Sequence, residues 1–293
     1  MTSYLQEAET TSVCHQIIFN AFNDTRSADF VVCNSVQELE VETLSALQAE
    51  MPYYAIGPLF PNGFTKSFVA TSLWSESDCT QWLDEKPRGS VLYVSFGSYA
   101  HVTKKDLAQI ANGLSLSKVS FVWVLRADIV SSDDAHPLPD GFEEEVADRA
   151  MIIPWCCQRE VLPHHAIGGF LTHCGWNSIL ESIWCQVPLL CLPLLTDQFT
   201  NRKLVVDDWK VGINLSDRKF VTKEEVSSNI NSLFSGKLGD ELRTKIKEVK
   251  KTLENALSPG GSSEKNMAQF IKDLKNKISD KMDQPNKSIC NDS

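Results

Sequence analysis

Four polar residues stand close together in the stretch HCGWNSILE: His173, Asn177, Ser178 and Glu181. The residues just before them read as a short apolar strand (Phe170, Leu171) and a turn (Thr172–Gly175), with a helix opening near Asn177 and Ser178. Asn and Ser suit a helix start because their side chains satisfy backbone N–H groups that have no intrahelical acceptor. Those N–H groups, with the helix dipole behind them, form a site for an anion such as phosphate. A histidine at a strand end is more often structural, but beside a helix start its ring can also bind phosphate. Glu181 lies one turn from Asn177 and Ser178, on the same face, and its carboxylate can accept two hydrogen bonds from vicinal hydroxyls. Plain capping is the competing reading, because Ser178-x-x-Glu181 also fits a capping box. Gly175 allows a ligand to approach the backbone. Trp176 reads as structural, with only its backbone near a ligand.

More residues of this kind flank the stretch. Trp155 follows a strand and a proline, where an indole can stack on a flat base for about 1–3 kcal/mol or simply fill the core. Asp197 and Gln198 follow a buried strand and precede a helix. They offer acceptors for sugar hydroxyls, or another helix cap. Ser98 sits at the carboxyl end of the apolar strand Val91–Phe96.

The elements around these residues alternate. After Val91–Phe96 the pattern predicts a helix over Lys104–Leu116 and a strand over Val119–Leu125. A polar loop (Asp128–Asp140), a helix (Phe142–Arg149) and a strand (Met151–Ile153) follow. Gln158–Leu162 is a short helix or turn. The apolar run Pro188–Pro193 reads as a strand buried on both faces. Asn201–Trp209 is helical and Val211–Leu215 is a strand. Strand and helix alternating over Ser90–Leu215 give a parallel sheet with helices on both faces. Ligands of such sheets bind beyond the carboxyl ends of the strands, where the residues above converge.

The flanks differ. Glu7–Ala28 has helical spacing, Phe30–Cys33 and Tyr54–Ile56 read as strands, and Glu38–Glu50 as a helix between them. A strand–helix–strand fragment this short cannot bury its own faces. Phe60–Ser75 reads as a linker, and Asp78–Lys86 as a short helix. Past the sheet, Thr222 caps a helix to Phe234, then come helices over Leu238–Leu257 and Glu264–Ile278, with a flexible break at Pro259–Ser263. A polar tail, Ser279–Ser293, is expected to be disordered.

Composition excludes several classes. The formal net charge of −10 argues against nucleic acid, whose backbone needs clustered Lys and Arg. Nine cysteines with irregular spacing in 293 residues are not a disulfide scaffold; they fit a reducing cytoplasm. No apolar run reaches the roughly 18 residues of a membrane span, and Met1–Ser12 lacks the apolar core of a signal peptide. Cys156, Cys157, His164, His165 and His173 include no C-x₂-C pair, and adjacent residues cannot easily share one tetrahedral zinc. The turn FGSYAHV after the first strand lacks the G-x-G-x-x-G of dinucleotide oxidoreductases.

Trp155–Gln198, 44 residues long, resembles the signature box of plant small-molecule UDP-glycosyltransferases. Trp155, Gln158, His164, His173, Cys174, Gly175, Trp176, Asn177, Ser178, Glu181, Pro188, Asp197 and Gln198 match it by type and spacing, and the resemblance extends over essentially the whole chain. It implies an α/β fold of GT-B type: a complete C-terminal Rossmann-like domain with a parallel sheet, plus a fragment of the N-terminal one. The expected division is an acceptor-domain remnant (1–58), a linker (59–89), a UDP-sugar-binding domain (90–258), a helix returning toward the N-terminal domain (259–280) and a tail (281–293). That helix's apolar face (Met267, Phe270, Ile271, Leu274) is then expected to lack cover.

The resemblance also implies roles. Trp155 stacks on uracil, and Gln158 with the backbone around Cys157 holds the uracil edge and ribose. Glu181 binds ribose; Ser98, His173, Gly175, Trp176, Asn177 and Ser178 surround the diphosphate; Asp197 and Gln198 meet the sugar. A closing Gln is associated with glucose. The implied reaction transfers glucose from UDP-glucose to a hydroxyl of a small apolar acceptor, with inversion and without metal or cofactor, in a cytoplasmic monomer. In the family a histidine near the start of the N-terminal domain is the general base. His15 does not match that motif, so no catalytic base is assigned, and a binding remnant or an interaction module are the rival expectations. One departure is Gln186, where the family usually has a glycine in a left-handed helix cap.

Overall fold

The computed structural model describes residues 13–60, 75–130, 137–216 and 220–282. Expectations for the start of the first helix, the middle of the linker, the centre of the polar loop at 131–136 and the tail from 283 lie outside the described residues. The chain forms two compact units, one built on residues 60–250 and one on residues 7–59 with 251–293.

The second unit begins with α1 (Val13–Ser27), β1 (Val31–Cys33), α2 (Val41–Glu50) and β2 (Tyr53–Ala55). A single 3₁₀ turn, Gln37–Leu39, precedes α2, where one continuous helix was expected. The two strands pair in parallel, with Val32 opposite Tyr54. This is the βαβ fragment anticipated above, and Ile17 and Phe22 of α1 remain exposed.

The first unit contains α3 (Thr80–Asp84), β3 (Val91–Ser95), α4 (Lys104–Ser117), β4 (Ser120–Val124), α5 (Phe142–Val146), β5 (Ala150–Ile153), α6 (Gln158–Val161), β6 (Ile167–Thr172), α7 (Trp176–Trp184), β7 (Leu189–Cys191), α8 (Gln198–Lys203), β8 (Gly212–Asn214), α9 (Lys223–Phe234) and α10 (Gly236–Leu257). The division between the units falls inside α10, at Lys250. Six parallel strands line up as β5-β4-β3-β6-β7-β8. The order reverses between β3 and β6, the switch point at which doubly wound sheets bind ligands. Alternation along the strands divides the core between the two faces. Leu92, Val94, Trp123 and Leu171 pack on one face, and Val91, Tyr93, Val122 and Phe170 on the other. Each such side chain, fully buried, contributes roughly 1.5–3 kcal/mol.

Side-chain caps set two of the helix starts. Thr103 caps α4 by accepting from the Asp106 amide at 3.0 Å. Thr222 and Glu225 form a reciprocal capping box on α9. The expected cap on α7 is corrected: Gly175 is its N-cap, with no side-chain cap bond, and the helix opens at Trp176. Asn177 and Ser178 stand inside its first turn, which removes capping as their role. α8 opens at Gln198, three residues early, and runs into a π-helical turn, Leu204–Asp208. Gln186 has φ +60°, the left-handed conformation that its position in the resemblance requires.

The second unit closes with α11 (Ser262–Met282), which starts inside the expected break and continues into the expected tail. Within that unit Tyr54 Oη donates to Asp273 at 2.7 Å, Asn266 donates to the Ala55 carbonyl at 2.8 Å, and Phe270 packs against Phe30 and Tyr54. Met267 and Phe270 are half-buried, against expectation, while Ile271 and Leu274 are exposed as expected.

Candidate functional site

A cavity of about 420 Å³ opens at the switch point of the six-stranded sheet. Its wall comes from three loops at the carboxyl ends of neighbouring strands. The loop after β3 gives Gly97 and Ser98. The segment after β5 gives Trp155, Cys157 and Gln158. The loop after β6 and the start of α7 give His173, Gly175, Trp176, Asn177 and Ser178, and Glu181 follows one turn on. Ten of the twelve expected site residues therefore share one wall.

The first intrahelical bond of α7 runs from the Ile179 amide to the Gly175 carbonyl, 3.1 Å. The amides of Trp176, Asn177 and Ser178 precede it and stand at the cavity with the positive end of the helix dipole. Cys174 carries φ +66°, a conformation held by two contacts. Its amide donates to Thr172 Oγ1 at 3.2 Å, and its carbonyl accepts from Asn201 Nδ2 at 3.0 Å.

His173 lies between two glycines. A Cβ on Gly97 would come within 2.7 Å of the ring's Cε1 and Nε2, and one on Gly175 within 2.5 Å of Nε2. The imidazole fits only because both neighbours lack a side chain. Its Nδ1 is buried without a hydrogen-bond partner, while the residue lines the cavity. Burial lowers its pKa to about 4, with the Arg126 charge adding to the fall and the Ser95 backbone and Asp197 carboxylate opposing it. At neutral pH the ring is uncharged and can donate from one nitrogen while accepting at the other.

Gln158 Nε2 donates to Glu181 Oε2 at 2.7 Å and to Ser178 Oγ at 3.0 Å. These bonds tie α6 to α7 and fix the rotamer of Glu181. Burial raises the Glu181 pKa, while the Gln158 hydrogen bond and the Arg159 charge oppose it. A desolvated carboxylate of this kind gains most from hydroxyl donors such as a vicinal diol. Burial likewise raises the Cys157 thiol. Cys156 faces inward, its sulfur 3.6 Å from Tyr93 Oη.

Asp197 and Gln198 lie outside the cavity wall. Gln198 is buried, and its Oε1 accepts from the Leu194 and Leu195 amides at 2.9 and 2.8 Å. Asp197 is exposed and accepts from Asn201 Nδ2 at 2.7 Å. Both side chains brace the turn between β7 and α8.

Glu76, Tyr93, Ser95 and Arg159 also line the cavity and were not singled out from sequence. Arg159 follows Gln158 directly, so its place beside the motif was a usable signal. Glu76 lies far from the motif in sequence and had none. Among the described residues, Asp84, His164 and His165 bring ligand-type atoms within 4.8 Å of one another. His164 Nδ1 accepts from the Ala166 amide at 3.2 Å. Its proton is then on Nε2, directed at Asp84 Oδ1 3.1 Å away. A nitrogen that donates is no metal ligand, and the pair acts as a strut on α3.

Sheet order and cavity together define a doubly wound α/β unit with its cavity at the switch point. The family described as UDP-glucoronosyl and UDP-glucosyl transferase matches residues 32–251, and the chain belongs to it. The chain is 60% identical over 278 residues to UDP-glycosyltransferase 86A2 of Arabidopsis thaliana, covering 94% of this chain and 57% of that relative. It is 56% identical over 286 residues to UDP-glycosyltransferase 86A1 of the same plant, covering 96% and 58%. The chain thus spans a little over half the length of these relatives. Among solved structures it resembles Os79 from O. sativa in complex with UDP, with TM-score 0.81 and 32% identity over 90% of this chain and 59% of that one. It also resembles Phytolacca americana UGT2 complexed with UDP-2fluoro-glucose and pterostilbene, with TM-score 0.76, 32% identity, and 90% and 58% covered. The fold is therefore the α/β fold of GT-B glycosyltransferases, with a complete Rossmann-like sheet domain.

Proposed function

We propose that the cavity binds UDP-glucose and that the chain supplies the donor half of a glucosyltransferase acting on a hydroxyl of a small apolar acceptor. The observation that carries this reading is the shared wall: an indole, a desolvated carboxylate, an unpartnered imidazole nitrogen and a helix start around one cavity. Uracil stacks on Trp155, its edge and the ribose meeting Gln158 and the backbone at Cys157. The ribose hydroxyls donate to Glu181. The diphosphate lies at the α7 amides, with His173, Asn177, Ser178 and Ser98 around it. Asp197 and Gln198 meet the glucose from beyond the wall, by way of the β7–α8 turn.

In the reaction the acceptor oxygen forms a bond to the anomeric carbon from the face opposite the diphosphate. The bond from that carbon to the β-phosphate oxygen breaks, UDP leaves, and the acceptor proton passes to a general base. Negative charge builds on the β-phosphate as that bond breaks. In this reading the α7 amides and His173 stabilise it, and no metal or cofactor takes part. We place the chain in the cytoplasm as a monomer, in keeping with the seven described cysteines, all of them free. Among the described residues, no helix is long and apolar enough to cross a membrane.

Titration calorimetry with UDP and ADP tests the reading. UDP is expected to bind and ADP to bind at least tenfold more weakly. Replacement of a charged hydrogen-bonding partner costs about 1.5–3 kcal/mol, so Glu181→Gln should weaken UDP roughly tenfold to a hundredfold. UDP binding no tighter than ADP binding would sink the proposal. UDP release that does not rise with any hydroxylated apolar acceptor would confine it to donor binding.

A further inference from the structure

Arg126 closes strand β4 and is only 1% exposed. A buried guanidinium is costly unless its donors are satisfied and its charge is balanced. Each of its three nitrogens has an acceptor. Nη1 donates to the Gly97 carbonyl, Nη2 to the Ala100 carbonyl at 2.8 Å, and Nε to Asp128 Oδ1 at 2.9 Å. The charge is balanced less well. Two of the three acceptors are neutral carbonyls, and the Asp128 side chain is 48% exposed, so water screens much of its charge.

The two carbonyls are the ends of the short loop Gly97–Ala100, which carries Ser98 into the cavity wall. Gly97, with φ +72°, also backs the ring of His173 at the closest approach a glycine allows. One buried cation thus holds the loop from beneath and stands one residue behind the imidazole. The lowering of the His173 pKa by Arg126 agrees with that proximity.

We propose that Arg126 is a positioning residue for the diphosphate: it clamps the Gly97–Ala100 loop and supplies a buried positive charge behind that loop. The inference rests on UDP binding in this cavity and assigns Arg126 a part in the diphosphate increment alone.

The test compares uridine, UMP and UDP by titration calorimetry, with a thermal melt of each protein. Arg126→Met keeps the apolar stem and removes the charge. It should weaken UDP on the order of tenfold and leave uridine within about twofold. Arg126→Lys, which keeps the charge and loses the fork, should recover part of the UDP affinity and leave uridine unchanged. Asp128→Asn lies on an exposed residue, so it keeps the proposal testable even if both Arg126 variants fail to fold. It removes the carboxylate paired with Arg126 and should tighten UDP about threefold without affecting uridine. A ratio of UDP to uridine affinity that stays constant across the folded variants would overturn the role of Arg126, including the case in which both affinities fall together. Wild-type protein that binds neither ligand would overturn this role and the donor-site reading together.

Discussion

The two walls beside the proposed diphosphate site are built differently. The β6–α7 wall comes from one contiguous run, Thr172–Ser178, and sets much of its own geometry, with one distant brace from Asn201. Thr172 Oγ1 accepts the Cys174 amide, Gly175 begins the helix, and Asn201 secures the Cys174 carbonyl from the next helix. The β3–α4 wall, Gly97–Ala100, has little of this. Its one local side-chain bond is a long one, from the Gly97 amide to Ser95 Oγ at 3.4 Å. Its position comes from Arg126, 29 residues from Gly97 in the sequence. A wall written in one short motif is visible in the sequence. A wall held by a distant side chain shows itself only once the strands are paired.

The sharpest way to break this comparison is at the seam where the walls touch. Gly97→Ala adds a methyl against His173 at a left-handed position. Strain of roughly 1–2 kcal/mol and overpacking of roughly 1–3 kcal/mol together predict a loss of about 4 kcal/mol, read by denaturant unfolding. In a double-mutant cycle, His173→Ala should restore the overpacking part. Additive losses would mean that the walls do not meet through that ring.

A somewhat smaller effect is expected from pH. The His173 pKa is lowered to about 4 in the folded protein and is near 6.5 unfolded. Between these values the unfolded chain binds the extra proton, so stability falls as pH drops from about 6.5 to 4. The loss attributable to His173 is up to about 3 kcal/mol at 1.36 kcal/mol per pH unit. Unfolding of wild type and His173→Gln over that range isolates it. Parallel curves would show that the ring is not the buried neutral group described here.

The smallest effect lies away from both walls, at the end of α7. Gln186 holds φ +60°, a conformation that costs a residue with a Cβ roughly 1–2 kcal/mol. Gln186→Gly should raise the melting temperature by about 2–4 °C and leave UDP affinity unchanged. No rise would mean that contacts of the Gln186 side chain compensate the strain.

Much of the site was legible because its residues are close in sequence. Trp155, Gln158, His173, Asn177, Ser178 and Glu181 fall in one motif, and their spacing set the strand, turn and helix that gather them. The capping reading of Asn177 and Ser178 failed because Gly175 starts the helix two residues earlier, which leaves both within the first turn. Asp197 and Gln198 were correctly put beside a helix start, but their orientation was not legible, since Gln198 is engaged by the turn before it. Glu76 and Arg126 were missed. Each reaches the cavity or its rim from a strand or loop whose local pattern says nothing about phosphates.

By itself, the sequence determined the alternation of strands and helices, the family, and the helix start that follows β6, because each depends on contacts a few residues apart or on the identity of a motif. Only the tertiary structure decided which strands are neighbours, and hence that β3 and β6 flank the reversal of strand order. Strand pairing depends on contacts across dozens of residues, and many orders share the same local pattern. Those contacts bring Gly97 against His173, and Arg126 beneath Gly97.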